Sequence, residues 1–190
     1  MNDPAQWEAI HQSRHWGTYP DIHVVRQVKK FMGGWKERMS TVPKWVTPQA
    51  LDIGCGAGAN TGMMCDEGMN VYAFDSSETA LGHMCYRLEN KSFFPAKCTV
   101  QEFEAPHQFD FILDNFTLTN IEHPPWEKIL SWLRPGGWLV QTSFWVAPRN
   151  TPKTWFHGSF GSVVESHQCV VGDDKFSFSV FRYVKPNSPG

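Results

Sequence analysis

Short apolar runs alternate with amphipathic helical segments through the middle of the 190-residue chain, and this alternation restricts the fold more than any other feature. Parallel strands must be joined by long crossovers, so strands alternating with helices predict right-handed βαβ units and a parallel sheet. The predicted strands are Ala50 to Ile53, Val71 to Phe74, Lys97 to Val100, Phe109 to Leu113 and Trp138 to Trp145. The predicted helices are Ala59 to Glu67, Glu78 to Glu89, and a segment that begins at Pro125, includes Leu133 and is stopped by Pro135-Gly136-Gly137.

The two ends of the chain carry other patterns. Apolar residues at helical spacing predict a helix from Asp21 to Met32, which Gly33-Gly34 ends or bends. Near the other end, Val163 to Val171 and Phe176 to Val184 are both strand-like, and a short turn separates them. That turn is too short for a crossover helix, so these two strands are expected to form an antiparallel hairpin.

A glycine-rich turn directly follows the first predicted strand. Gly54, Gly56 and Gly58 permit a tight turn and a close approach of the backbone to a ligand. Asp75 closes the next strand, where a carboxylate can accept hydrogen bonds from both hydroxyls of a ribose. Open α/β sheets bind ligands at the carboxyl ends of their strands, so this turn predicts a nucleotide site.

The glycine turn alone is compatible with two different cofactors. Gly54, Gly56 and Ala59 also satisfy the dinucleotide fingerprint, which makes an NAD-dependent oxidoreductase an alternative. Asp52 favours another ligand, because its carboxylate would repel a pyrophosphate but attract the ammonium and sulfonium groups of S-adenosyl-L-methionine. The length of the chain also leaves little room for a separate substrate domain.

Four motifs, in order along the chain, resemble those of class I methyltransferases. They are the glycine segment Ala50 to Gly58, the acid Asp75, Phe109-Asp110 with Asp114, and Leu133 to Gly137. The resemblance implies a Rossmann-like three-layer α/β sandwich around a seven-stranded sheet of order 3-2-1-4-5-7-6, in which only strand 7 is antiparallel. It also implies S-adenosyl-L-methionine as the cofactor and S-adenosyl-L-homocysteine as the product.

The resemblance implies roles for individual residues. The glycine turn would wrap the methionine and ribose portions, Asp52 would lie near the methionine amino group and Asp75 would hold the ribose. Gln101 and Glu102 are alternatives for the residue that reaches the adenine, and the segment Arg14 to Pro20 resembles the N-terminal lid of small-molecule methyltransferases. The implied cofactor-binding residues are Trp16, Tyr19, Asp52, Gly54, Cys55, Gly56, Gly58, Asp75, Ser76, Gln101, Glu102, Asp114, Asn115 and Phe116.

The acceptor is expected to be a small molecule. Asp114-Asn115-Phe116-Thr117 lacks the Pro-Pro-aromatic signature of amino-methylating DNA enzymes, and with a formal net charge of -2 no basic groove points to nucleic acid. A general base is needed only when the acceptor must lose a proton first, and His123 and His157 are the candidates for it. Either histidine is also explained as an ordinary loop residue.

The remaining expectations concern organisation and location. The chain is interpreted as one domain, with an N-terminal helical lid (1–48), a cofactor-binding core (49–145) and an acceptor loop with the terminal hairpin (146–184). Five cysteines without a CxxC pair argue against a zinc site or a disulfide framework, so we expect no metal and a cytoplasmic location. We expect no membrane partner and a monomer or homodimer. A non-catalytic S-adenosyl-L-methionine-binding protein is the second alternative function.

Overall fold

The computed structural model describes residues 3–14, 18–38, 46–145, 162–171 and 174–185. The helices are α1 (Pro4–Ser13), α2 (Ile22–Arg38), α3 (Ala59–Asp66), α4 (Glu78–Arg87) and α5 (Trp126–Ser131), with a short 3-10 helix at Leu118–Asn120. The strands are β1 (Gln49–Ile53), β2 (Asn70–Asp75), β3 (Phe93–Lys97), β4 (Phe109–Asn115), β5 (Leu133–Trp145), β6 (Ser162–Val171) and β7 (Asp174–Val184). No helix in these ranges has both the length and the apolar character that crossing a bilayer requires.

The strands form one seven-stranded sheet in the order β3-β2-β1-β4-β5-β7-β6. Strands β1 to β5 pair in parallel, whereas β7 runs antiparallel to both of its neighbours, β5 and β6. The predicted fold class, strand order and terminal hairpin are therefore confirmed. Only two residues lie between the end of β6 and the start of β7, which leaves no length for a crossover.

Helices cover both faces of the parallel part of the sheet. On one face Phe31 of α2 packs against Phe111 of β4 and Trp138 of β5, with ring centroids 5.0 and 5.5 Å apart. On the other face Ile129 of α5 lies in the same buried cluster as Phe74 of β2, and the loop residue Phe103 stacks on Phe74 with ring centroids 4.6 Å apart. Because both faces are buried, the inner strands read as continuous apolar runs rather than as alternating ones.

The strand register brings the carboxyl ends of β1, β2 and β4 to one edge. Ile53, the last residue of β1, pairs with Phe74 of β2 and with Asp114 of β4. The glycine turn therefore begins beside Asp75 and beside the segment that follows β4. This edge is where the sequence predicts the ligand site.

Three element boundaries differ from the sequence prediction, and packing explains the first. Helix α2 does not end at Gly33-Gly34 but continues to Arg38. Phe31 and Trp35 on either side of the glycines are both buried in the core, so tertiary packing outweighs the low helix propensity of glycine.

Strand pairing explains the other two differences. Strand β3 is Phe93–Lys97 rather than Lys97 to Val100, because Phe94 pairs with Tyr72 of β2 and stacks on its ring. Helix α5 ends at Ser131, and Leu133 begins β5 by pairing with Phe109 of β4. In both places a long-range strand partner decides the structure.

The continuous helix α2 predicts a stabilising substitution, Gly33→Ala. A Cβ at Gly33 would meet nothing within 4 Å, and alanine has the higher helix propensity. We expect Gly33→Ala to raise the free energy of unfolding by about 0.5–1 kcal/mol, measured by urea denaturation. Gly54→Ala is the opposite control, because φ there is +64° and the new Cβ would lie 2.1 Å from Thr117 Oγ1. A loss of stability in Gly33→Ala would contradict the uninterrupted helix.

Candidate functional site

The glycine turn after β1 uses its three glycines in two different ways. Gly54, Gly56 and Gly58 all have positive φ, at 64°, 53° and 76°. A Cβ on Gly54 would strike Thr117, and one on Gly58 would lie 2.3 Å from Met84 Cγ, so these two glycines permit close packing within the protein. A Cβ on Gly56 would find only His11 Cε1, at 3.7 Å. Gly56 is therefore the glycine of this turn beside which the backbone has room for a ligand.

Asp75 joins the glycine turn to the start of α4. Its Oδ2 accepts a hydrogen bond from the backbone N–H of Gly56 and its Oδ1 accepts one from that of Ser77, both at 2.9 Å. The carboxylate is 8% exposed, and a carboxylate has about four lone-pair sites. Asp75 is thus fixed in place and still has acceptor capacity for two hydroxyl groups. Half-buried Ser76 lies between Asp75 and Ser77.

Asp52 is a buried carboxylate directly behind the turn. It accepts a hydrogen bond of 2.6 Å from Thr61 Oγ1 of α3. Burial raises its pKa to about 7, and the negative charges of Asp75 and Asp114 act in the same direction, whereas the Thr61 bond acts against them. No described residue forms an ion pair with Asp52. A cation placed in this part of the site would therefore be stabilised by it.

Asp114, at the end of β4, is fully buried and its oxygens are occupied by protein donors. They accept hydrogen bonds from the backbone N–H groups of Thr117 (2.9 Å) and Leu118 (3.0 Å) and from Gln141 Nε2 (2.8 Å). Burial raises the pKa of Asp114 to about 7, while these bonds act to lower it. Asp114 therefore shapes the segment after β4 and adds negative potential beneath it.

Asn115 and Phe116 form the surface of this segment. The Oδ1 of Asn115 accepts a hydrogen bond from Thr142 Oγ1. Phe116 has φ of 64°, a conformation that is strained for an aromatic residue. Its backbone N–H donates to Thr142 O at 3.1 Å, and its carbonyl accepts from Asn120 Nδ2 at 2.6 Å. These bonds hold the strained residue at the edge of the sheet where the candidate site lies.

Several of the predicted residues lie at the surface of the protein. Gln101 and Glu102 are exposed, and Glu102 accepts hydrogen bonds of 2.9 Å from the N–H and hydroxyl of Thr99. The side chain of His123 is 91% exposed, and Tyr19 is 88% exposed. Trp16 and His157 lie outside the described residues. The roles of all these residues stay predictions.

Cys55, by contrast, is buried in the glycine turn and donates its backbone N–H to Phe74 O at 3.0 Å.

Helix α1 adds two residues that the sequence analysis did not find. Its Glu8 accepts hydrogen bonds from Ser77 and Thr79 at the start of α4. His11 is buried beside Gly56 and Asp75, and burial lowers its pKa while the Asp75 charge acts to raise it. Asp3 as the N-cap followed by Pro4 was a readable helix start. Nothing in the sequence indicates that this helix reaches α4.

A cavity of about 410 Å³ lies at the opposite edge of the sheet. Its lining includes Thr47, Asn70 and Ser92, which stand just before or at the start of β1, β2 and β3. The amino ends of the strands are not where such sheets bind ligands. The glycine turn, not this cavity, is therefore the candidate site.

A parallel sheet of this order with an antiparallel β7, a glycine turn after β1 and an acid ending β2 together define the class I methyltransferase fold. Residues 50–137 match the family model described as "Methyltransferase domain". The matched residues make up a little under half of the chain, and this part is similar to a methyltransferase domain. No curated protein sequence matches the chain.

Solved methyltransferase structures share the fold. The N-methyltransferase NodS from Bradyrhizobium japonicum, in complex with S-adenosyl-L-homocysteine, is 20% identical over 82% of this chain and 86% of its own, with a TM-score of 0.57. Magnesium protoporphyrin IX methyltransferase from Synechocystis, with S-adenosyl-L-methionine bound, is 14% identical over 93% and 90%, with a TM-score of 0.56. Phosphoethanolamine N-methyltransferase 2 from Haemonchus contortus is 16% identical over 84% and 53%, with a TM-score of 0.61.

The buried carboxylates predict how stability depends on pH. The pKa of Asp52 is raised from 3.8 to about 7 in the folded state, so the folded chain binds this proton more tightly than the unfolded chain. The resulting stabilisation is full below about pH 4 and is lost as the pH rises through about 7. We expect unfolding free energy to fall between pH 5 and pH 8 by on the order of 2–4 kcal/mol.

Asp52→Asn tests the origin of this fall. Asparagine keeps an acceptor for Thr61 but carries no charge, so the variant should be more stable than the wild type at pH 8, and the difference should be smaller at pH 5. Urea denaturation at both pH values measures the difference. Asp66→Asn, which removes the charge of a mostly exposed carboxylate on α3, should follow the wild type. An Asp52→Asn variant with the wild-type pH dependence would show that Asp52 is already ionised at neutral pH without cost.

Proposed function

We propose that this chain transfers a methyl group from S-adenosyl-L-methionine to a small-molecule acceptor and releases S-adenosyl-L-homocysteine. The observation that carries the proposal is the junction between Asp75 and Gly56, a fixed ribose acceptor bonded to the glycine beside which a ligand has room. It lies within the segment that matches the methyltransferase domain.

The residues present fit this cofactor. Asp75 keeps lone pairs for the two ribose hydroxyls, and the backbone at Gly56 permits close approach. Asp52 and Asp114 supply negative potential for the ammonium and sulfonium groups without a cationic side chain among the described residues to neutralise them. When bound, the cofactor supplies a methyl group that is already activated by its sulfonium.

The same charges disfavour the NAD alternative. A pyrophosphate carries negative charge and would lie beside the glycine turn, where Asp52 is buried and the Asp75 charge already raises its pKa. The match of residues 50–137 to a methyltransferase domain supports the same choice.

The chain's own residues would then align the acceptor with the methyl group. Asn115 and Phe116, held by Thr142 and Asn120, form the surface next to the end of β4. Such alignment, with exclusion of water, accounts for much of the rate acceleration in a displacement reaction. His123 lies in the loop that follows this segment and is our candidate base where the acceptor must lose a proton.

The net charge of the chain and the names of two similar structures support a small molecule as the methyl acceptor. The chain carries a formal net charge of -2, which gives no electrostatic attraction to nucleic acid. Two of the similar structures are described as acting on phosphoethanolamine and on magnesium protoporphyrin IX. Both are small molecules, although of different chemistry.

Isothermal titration calorimetry with S-adenosyl-L-homocysteine tests the site. We expect binding, and a loss of about 10- to 100-fold in affinity for Asp75→Asn, because hydrogen bonds to a charged group contribute about 1.5–3 kcal/mol. Asp66→Asn is the matched control and should bind like the wild type, since Asp66 lies on the outer surface and pairs with Lys91. No heat of binding in the wild type, or equal affinities of the wild type and Asp75→Asn, would contradict the assignment.

Turnover distinguishes an enzyme from a non-catalytic binder. Incubation with S-adenosyl-L-methionine and a panel of amines, thiols, phenols and carboxylates should yield S-adenosyl-L-homocysteine, detected by mass spectrometry, with at least one class. Binding of the cofactor without product from any class would favour the non-catalytic alternative.

A further inference from the structure

We propose that Glu8 is a positioning residue of the cofactor site, acting as a clasp that fixes α1 to the start of α4 and thereby holds His11 over Gly56. This inference rests on the proposed function. It concerns a residue outside the segment that matches the methyltransferase domain, which begins at residue 50.

The clasp consists of several hydrogen bonds to one carboxylate. Oε2 of Glu8 accepts from Ser77 Oγ at 2.7 Å and from the backbone N–H of Thr79 at 3.3 Å. Its Oε1 accepts from Thr79 Oγ1 and, at 2.9 Å, from Gln12 Nε2 of the same helix. These bonds lower the pKa of Glu8 to about 2, the largest contribution coming from Thr79. The carboxylate also lies at the N-terminus of α4, where the helix dipole favours negative charge.

Ser77 connects the clasp to Asp75. Ser77 bonds to Glu8 through its hydroxyl and to Asp75 Oδ1 through its backbone N–H. The same hydroxyl accepts from Ala80 N at 3.1 Å and caps α4. A change at Glu8 therefore reaches the ribose acceptor through a single intervening residue.

The clasp also sets the position of His11. Glu8 and His11 are three residues apart, so they share one face of α1. His11 is 7% exposed and faces the space beside Gly56, and the charges of Asp75, Glu8 and His83 all act on its pKa. His11 thus lies next to both parts of the site that would contact a ribose.

Among the described residues, α1 buries little apolar surface, and Trp7 and Ile10 are only half-buried. His11 is the one buried residue of the helix, so apolar burial contributes little to its docking. Charge-assisted hydrogen bonds such as those of Glu8 are about twice as strong as neutral ones. Release of the clasp is therefore expected to free α1 while the core of the domain stays folded.

The test measures how fast the product leaves. Stopped-flow displacement gives the dissociation rate of S-adenosyl-L-homocysteine, and hydrogen exchange of residues 4–13 reports on the docking of α1. We expect Glu8→Ala and Thr79→Val each to raise the dissociation rate, with at least a 10-fold increase for Glu8→Ala. Both should lose protection of α1. Gln12→Ala, which removes the exposed partner of Glu8, is the matched control and should stay within twofold of the wild type.

A double-mutant cycle identifies the contact. If Glu8 acts through Thr79, the double variant should dissociate no faster than Glu8→Ala alone, because the shared contact is already lost. Poor folding does not mimic the effect, since misfolded protein lowers the binding stoichiometry but leaves the dissociation rate of bound molecules unchanged. Glu8→Gln, which keeps the shape of the side chain, provides a second variant and should give an intermediate rate.

A wrong role for Glu8 and a wrong proposed function would give different results. Wild-type binding together with unchanged dissociation rates in Glu8→Ala and Thr79→Val would overturn the role of Glu8 and leave the proposed function intact. Loss of α1 protection without a faster dissociation would overturn it as well. A wild type that binds neither S-adenosyl-L-methionine nor S-adenosyl-L-homocysteine would overturn the proposed function and this inference with it.

Discussion

The geometry of the site depends on the two backbone hydrogen bonds that the carboxylate of Asp75 accepts. Its two oxygens accept one backbone hydrogen bond from the glycine turn after β1 and one from the start of α4. Without an acceptor there, the turn at Gly56 and the N-terminus of α4 would lose a common fixed point. Because Asp75 ends β2 and Gly54 follows β1, the parallel pairing of these strands is what brings the three elements together.

Negative charge accumulates at the same edge. Asp52 and Asp114 end or nearly end adjacent parallel strands, both are fully buried, and both have a pKa raised to about 7. Burial of carboxylates without a cationic partner lowers stability at neutral pH. Such an arrangement is expected where a cationic ligand compensates the cost, because functional sites often sacrifice stability for binding. The electrostatics and the proposed cofactor are therefore consistent.

Local patterns in the sequence predicted the parallel sheet, the terminal hairpin, the glycine turn and Asp75 at the end of β2, since crossover length and turn chemistry are local properties. The strand order was implied by the resemblance to class I methyltransferases. The misplaced boundaries have nonlocal causes. Phe94 belongs to β3 because Tyr72 pairs with it, and Leu133 belongs to β5 because Phe109 does. The contact of Glu8 with Ser77 spans 69 residues, and no spacing rule reaches that far. Helical periodicity at Leu133 was real but was outweighed by strand pairing.

The N-terminal segment is attached at two points, one at the start of α4 and one on α3. Glu8 bonds to Ser77 after β2, and the backbone N–H of Asp21 donates to Asn60 Oδ1 of α3 at 3.3 Å. Asn60 follows Gly58 by two positions, so each attachment lies close to a residue that shapes the turn. The structure shows His11 beside Gly56 and Tyr19 exposed, and the covering role that the resemblance implies for Arg14 to Pro20 stays a prediction. We therefore expect the docking of α1 to influence the conformation of the glycine turn.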